Sequence, residues 1–481
     1  MEWRLVWSWP PLLVVALLIY WAIVTIVLVT DDREPTDTLA WLLVLLAFPL
    51  VGLPFYYLFG RNWKKQSLKD PRRAELRALA TPVMARVRAR YAPQQSDEAV
   101  DPAYRDVVRL IAKTEHATVM PAYDVELLID GEAKFAALKR DLAAAKDTIN
   151  IQYYIWEHDK LTAELTEILL ERLAAGVEVR MLNDWAGNLV YKKDEIQRMR
   201  AAGARILPNL TDIRRINYRD HRKILVIDGV LGYTGGSNVG QEYIDGAPHY
   251  PSWRDTDVRF TGPAVADLQK LVCASWYART EEDLFNERFF PETYPEAGRR
   301  TPTQVVSTGV DQQWDPARRA HMMGFSCARE RIWIQSPYLV PTPDIQSTLI
   351  NAALSGLDVR FMMTGWPDKK TPYYAAETFF GPLVDAGIKV YRYKKGFMHA
   401  KTMTIDGRIA VVGTMNMDTR SLALNQEVMT WFYDADLAAQ HEQAYLADIE
   451  QCESIAREML DSWTRVRRLR NALARLASNL L

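Results

Sequence analysis

Two stretches of the chain carry one pattern of residues able to do chemistry. His221, Lys223 and Asp228 stand at offsets zero, two and seven, and His399, Lys401 and Asp406 repeat them. Gly235 and Gly413 lie fourteen residues after each histidine, and Asn238 and Asn416 lie seventeen after. Five matching residue types at five matching offsets, in copies 178 residues apart, mark a duplication. Two half-sites kept in register point to one shared active site. A neutral imidazole can attack phosphorus and form a phosphohistidine, which splits one displacement into two. A second imidazole can protonate the leaving alkoxide and later deprotonate an incoming hydroxyl. Two lysines and two side-chain amides can hold the non-bridging oxygens where charge accumulates. No metal and no cofactor is expected.

These side chains need elements that aim them at one point. His and Lys two apart on a strand share a face. The apolar run Ile224 to Ile227 is followed by Asp228-Gly229, and the second copy has Asp406-Gly407. Asp-Gly between apolar runs predicts a type I′ hairpin, whose central residues need positive φ. The return strands are expected over 230–233 and 409–412. They carry the glycines and Asn238 or Asn416 back to the level of the histidine. Each aspartate sits at its turn, so turn-forming, supporting and direct chemical roles all stay open.

The duplication extends beyond the motifs. Ile149 to Gln152 matches Ile332 to Gln335, and Leu173 to Arg180 matches Leu354 to Arg360. Ala202 to Ile206 matches Ala386 to Val390. Helix end, glycine cap and strand alternate, which predicts α/β units on a largely parallel sheet. The halves are expected over 116–295 and 296–460, joined in the stretch from Pro291 to Thr308. Residues 61–115 read as a charged helical connector. The C-terminal 461–481 carries an apolar stripe of Trp463, Val466, Leu469, Leu473, Leu476 and Leu480 among arginines. It fits a membrane-surface helix or one packed on the catalytic domain. Trp314 with His321 has no partner spacing and reads as structural.

Residues 1–60 read as a two-helix membrane hairpin, with apolar spans over about 11–30 and 39–59, each long enough to cross a bilayer. Trp3, Trp7, Trp9, Trp21 and Trp41, with Tyr20, Tyr56 and Tyr57, include interfacial anchors. The connector holds Asp31, Asp32, Glu34 and Asp37 against Arg33, whereas Arg61, Lys64, Lys65, Lys69, Arg72 and Arg73 follow the second span. Basic flanks stay cytoplasmic, so the catalytic part should face the cytoplasm. Of the chain's 481 residues, 49% are hydrophobic, enough for a large core. The net charge of −1 carries no signature of nucleic-acid binding. Cys273, Cys327 and Cys452 have no metal or redox spacing, as expected in a reducing compartment.

The paired HxKxxxxD pattern with its following GxxN resembles the phospholipase D superfamily. The segments Trp253 to Val265, Gly396 to His399 and Asn416 to Glu427 are similar to those of bacterial cardiolipin synthases, with Gln426 where that family usually has an aromatic. The resemblance covers nearly the whole chain. It implies an α/β fold of two duplicated α/β/α halves with the active site between them, preceded by a two-helix transmembrane hairpin. It implies an enzyme of the bacterial inner membrane that joins two phosphatidylglycerols into cardiolipin and releases glycerol. His221 is taken as nucleophile and His399 as general acid/base, and the sequence leaves the reverse assignment open. Lys223, Lys401, Asn238 and Asn416 would bind phosphate, with Glu242 and Glu427 as further site candidates. The expected partners are phosphatidylglycerol, cardiolipin and the lipid bilayer, not nucleic acid, and no oligomeric state is implied. Other readings are a phospholipase D-type hydrolase or another transphosphatidylase, a membrane-tethered nuclease, and a non-catalytic lipid-binding scaffold.

Overall fold

The structure is a computed structural model that describes residues 11–31, 35–61, 63–91, 99–185, 187, 193–209, 217–309 and 312–476. It forms two compact units, one of residues 1–69 with 211–217 and one of residues 70–210 with 218–481.

In the first unit, Pro11–Thr30 is one helix long and apolar enough to cross a membrane. Most of its leucine, isoleucine and valine side chains are exposed, as the lipid-facing side of a span requires. The second apolar run differs from the expected single span over 39–59. It is a helix Pro35–Ala47, a short helix Pro49–Phe55 and one π-turn Tyr56–Gly60. The break falls at Phe48, whose φ of −133° and ψ of 66° leave the helical region. Pro49 explains it, since its ring disfavours the α conformation of the preceding residue. Val24, Leu28, Leu45 and Tyr56 form a small core, and the Tyr56 hydroxyl donates to Asp31 Oδ2 at 2.8 Å. Trp3, Trp7, Trp9 and Asp32, Arg33 and Glu34 lie outside the described residues.

The second unit is built on one 15-stranded sheet. From its middle, the first half runs outward as Met120–Ile129, Thr256–Thr261, Leu231–Gly235, Ile224–Ile227, Thr148–Tyr153, Glu178–Asp184 and Arg205–Asn209. The second half runs the other way as Thr301–Thr308, Glu427–Phe432, Ile409–Gly413, Thr402–Ile405, Arg331–Gln335, Asp358–Thr364 and Lys389–Tyr393, closed by Cys452–Ser454. The same sequence of roles appears twice. The seam is the antiparallel pairing of Met120–Ala122 with Thr301–Thr303.

The sheet is mixed rather than largely parallel. Only the three outer strands of each half that follow the strand–helix–strand repeats are parallel to one another. The histidine-bearing hairpins and the strands toward the seam are antiparallel, because an Asp-Gly turn reverses the chain at once. Both turns have the predicted backbone, with φ of 52° and 70° at Asp228 and Gly229 and of 54° and 60° at Asp406 and Gly407. Helices cover both faces, so all four residues of Ile224–Ile227 and of Thr402–Ile405 are buried. Helix Arg105–Glu115 belongs to this core: Val107, Val108 and Ile111 pack among the second half's apolar residues. His321 is a core residue whose Nδ1 faces the Ala317 carbonyl at 2.7 Å and whose ring meets Trp431. The three cysteines are free thiols.

Candidate active site

The two histidines do not lie on the strands themselves. The strands begin at Ile224 and Thr402, and His221 and His399 stand in the lead-ins just before them. Each lead-in is held by the opposite half. His221 N–H donates to the Gln426 carbonyl at 2.9 Å, and His399 N–H donates to the Arg254 carbonyl at 2.8 Å. The residue after each acceptor is a carboxylate that reaches back to the same histidine. Glu427 places its two oxygens 2.9 and 3.1 Å from His221 Nδ1, and Asp255 places Oδ2 2.7 Å from His399 Nδ1. Both carboxylates are fully buried, while each imidazole is 13% exposed. A carboxylate on Nδ1 fixes the tautomer that leaves Nε2 with its lone pair outward.

The lysines complete the cluster. Lys223 Nζ donates to the His221 carbonyl at 2.8 Å, and Lys401 Nζ donates to the His399 carbonyl. Each spends one of three donors there, which leaves protons for an anion. Burial, and then the positive charge of Lys401, pull Lys223 down to about 7. Burial pulls Lys401 down to about 8 against the attraction of Asp255 and Glu427. His221 falls to about 4, because burial and the lysine charges outweigh Glu427. His399 is depressed well below its ordinary value by burial, Lys401, Lys223 and His221. These mutual effects join residues of both halves into one electrostatic site, whose imidazoles are neutral while no anion is bound.

Asn238 and Asn416 are both buried. Asn238 donates Nδ2–H to the Tyr243 hydroxyl at 3.1 Å, and its Oδ1 accepts from Ile155 N–H at 3.3 Å. Asn416 Oδ1 is buried without a hydrogen-bond partner. The repeated glycines are steric. A Cβ on Gly235 would lie 2.4 Å from Asp257 Cα, and one on Gly413 would lie 2.2 Å from the Val428 carbonyl oxygen. Only glycine lets the neighbouring strand, with its carboxylate, come this close.

Two expected site residues, the turn aspartates, stand apart from the imidazoles. Asp228 accepts from the backbone N–H groups of Lys146, Asp147 and Thr148 at 2.8 to 3.2 Å. Asp406 accepts in the same way from Arg329, Glu330 and Arg331, and also from the Tyr104 hydroxyl at 2.6 Å. Their odd parity puts them at the far end of the hairpins, where they tie the turn to the start of the adjacent strand. Glu242 sits on the short helix Glu242–Asp245, its carboxyl pushed up to about 7 by burial and by Glu157 and Asp159. Asp255 is the residue that spacing did not single out. It lies 34 residues after His221, whereas Glu427 lies 28 after His399, so the register of the motifs hides their equivalence. Their shared signal is that both stand where the strand that pairs with the return strand of a hairpin begins, Glu427 as its first residue and Asp255 one residue before it.

Comparison with known proteins gives the family and the fold. The family model described as "Cardiolipin synthase, PLD-like domain" matches residues 138–247 and 324–449, and "Phospholipase_D-nuclease N-terminal" matches residues 16–61. The cardiolipin synthase of Geobacillus sp. (strain WCH70) is 35% identical over 464 residues, 95% of this chain and 91% of the relative. That of Geobacillus kaustophilus (strain HTA426) is 36% identical over 470 residues, with the same two coverages. The crystal structure of phosphatidylserine synthase from Haemophilus influenzae Rd KW20 superposes with a TM-score of 0.61 at 14% identity, covering 78% of this chain and all (100%) of that one. This last likeness speaks for the fold.

Proposed function

The chain belongs to the family of phospholipase D-like cardiolipin synthases, and from that membership we propose that it makes cardiolipin and glycerol from two phosphatidylglycerols through a phosphohistidine. The observation that carries the reading is the crosswise pairing of each imidazole with the other half's carboxylate.

In the first step His221 Nε2 attacks the phosphorus of one phosphatidylglycerol. The bond from phosphorus to the headgroup glycerol oxygen breaks, and that oxygen takes a proton from His399 Nε2, which gains this proton when the anionic phosphate binds between the lysines and offsets their charge. In the second step a primary hydroxyl of another phosphatidylglycerol attacks the phosphohistidine, and His399 takes its proton back. Cardiolipin leaves and His221 is restored. Lys223 and Lys401, with Asn238 and Asn416, hold the non-bridging oxygens. Glu427 and Asp255 orient the two rings and stabilise the charged forms each passes through. Glu427 is itself held below the usual carboxylate range by His221, Lys223 and Thr414, despite its burial, so it is ionised. That favours His221 as the ring that carries the phosphoryl group. Asp228 and Asp406 act through the hairpins they fix.

The site should face the cytoplasm from the bacterial inner membrane, with the apolar segments of residues 11–59 crossing twice. The acidic connector against the basic run from Arg61 to Arg73 supports that orientation. A reporter active only outside the cytoplasm should work between Glu34 and Thr38 and fail after Leu481; the opposite pattern would refute it. For the reaction, the test is to supply purified protein with phosphatidylglycerol alone in bilayers. Cardiolipin and free glycerol should appear in equal amounts, and excess glycerol should reverse the reaction. Phosphatidic acid as the main product would replace the synthase reading with that of a hydrolase.

A further inference from the structure

The C-terminal helix Arg465–Leu476 is mounted with its polarity reversed. Its charged side is turned inward onto Glu377 of helix Lys370–Asp385. Arg467 Nη2 lies 2.5 Å from Glu377 Oε1 and Arg470 Nη2 3.1 Å from Oε2, while Asn471 Nδ2 donates to Oε2 at 2.7 Å. Arg392, from the sheet below, reaches the same carboxylate at 2.6 Å. Glu377 is buried under these four partners and held below the usual carboxylate range by them. Arg470 and Arg467 also lie flat on Tyr374 and Trp463, 3.7 and 4.0 Å from the ring centres.

The outward side is apolar. Val466, Leu469, Leu473 and Leu476 fall on one stripe at helical spacing and are 78%, 62%, 58% and 79% exposed. Arg465, Arg468 and Arg475 keep exposed surface beside that stripe, Arg468 while donating to the Leu460 and Asp461 carbonyls and Arg475 while lying over the Phe379 ring, and the helix contains no acidic residue. Buried ion pairs hold the helix so that its apolar face stays in the open, where an apolar partner can meet it. The unbalanced positive charge of the helix favours an anionic surface.

We infer that the outward face of helix Arg465–Leu476 lies on the anionic lipid surface, with Glu377 as the clamp that fixes the catalytic unit to it. The contact is separate from the reaction. It gives the catalytic unit its own seat on the membrane, in addition to the apolar helix Pro11–Thr30.

The test uses the full chain with Cys452→Ser and Leu469→Cys, labelled with an environment-sensitive dye and reconstituted in vesicles of phosphatidylglycerol and phosphatidylcholine. The dye should be quenched by nitroxide-labelled acyl chains and shielded from aqueous iodide. Removing phosphatidylglycerol should weaken the lipid quenching. Free access of iodide with no lipid quenching would overturn the inference. So would disulfide crosslinking between two chains at position 469, which would make the stripe an interface between copies. As a second readout, Leu469→Glu with Leu473→Glu should lower turnover on bilayers by about tenfold and leave turnover of a soluble short-chain lipid unchanged. Equal losses on both substrates, or none on bilayers, would also overturn it. The quenching result does not depend on which reaction the site catalyses.

Discussion

The two imidazole–carboxylate pairs share a geometry and differ in how they are braced. Glu427 receives Thr414 Oγ1–H at 2.6 Å and Asn425 Nδ2–H at 3.3 Å in addition to its histidine. Asp255 receives the backbone N–H of Thr256 at 2.8 Å. The position of Thr414, fifteen after the histidine, is Gly236 in the first half, where a Cβ would come within 2.0 Å of Asp255 Oδ1. The surroundings differ as well. His221 meets the edge of Tyr154 at 5.0 Å, whereas His399 sits among Tyr243, Trp253 and Phe397 at 5.7 to 5.8 Å. Duplication kept the reacting groups and let their support diverge. One ring lies against a firmly ionised carboxylate, and the other lies in an aromatic enclosure over an aspartate whose pKa burial raises. Unequal support is what two different roles would need.

Breaking the pairs gives the largest effects. His221→Ala and His399→Ala should each reduce turnover by ~10³-fold or more, and the double mutant should be little worse than either, because the two rings serve one reaction. Near-normal activity in either variant would dissolve the two-half-site model. A donor whose leaving group needs no proton sharpens the assignment. His399→Ala should then still form a covalent phosphatidyl-enzyme, and His221→Ala should not. The reverse result would exchange the roles.

Next come the carboxylates. Glu427→Gln and Asp255→Asn keep shape but remove the charge that sets tautomer and stabilises imidazolium, a loss of about 10²- to 10⁴-fold in kcat. The Glu427 change should be the more severe. Equal effects would mean that the different bracing has no functional weight.

The lysines predict a pH profile. With values near 7 for Lys223 and 8 for Lys401, both lose charge in the empty site as pH rises through that window. The kcat/KM for phosphatidylglycerol should therefore fall across it. His221, neutral above about 4, adds no acid limb until pH drops toward that value. An anion between the lysines restores their protons, so calorimetry at pH 8 in buffers of different ionisation enthalpy should show proton uptake on binding. Proton release would contradict the cluster. Exhaustive chelation should change activity least of all; complete loss restored by one specific divalent ion would contradict charge neutralisation by lysines and amides.

The turn aspartates should separate stability from chemistry. Asp228→Asn and Asp406→Asn weaken buried hydrogen bonds to backbone N–H groups, about 1–3 kcal/mol of stability each. The second should cost more, since Tyr104 also loses its partner. Denaturant unfolding and kcat measured side by side would check this, with kcat largely kept.

Much of this site was legible because the chemistry is written twice. The Asp-Gly turns and the return strands followed from residue types alone, and the apolar helix over 11–30 followed from composition. What escaped depended on contacts between distant segments. Asp255 and Glu427 become equivalent only when the halves face each other. The antiparallel majority of the sheet arises where hairpins and seam strands complete each half. Pro49 broke the second apolar run locally, although hydropathy across it is continuous. The stripe of the last helix fits either a membrane surface or the catalytic domain in the sequence, and only Glu377, ninety residues before Arg467, shows that Arg467 and Arg470 turn inward.

The crosswise pairing also bears on how the protein is made. A ribosome delivers His221 long before Glu427, and a nascent or truncated first half holds its imidazole without the carboxylate that arms it. On the proposed mechanism, phosphoryl chemistry on the surrounding lipids would therefore wait until almost the whole catalytic unit has been synthesised and folded. Arming at completion would keep incomplete chains from acting on the membrane that holds them.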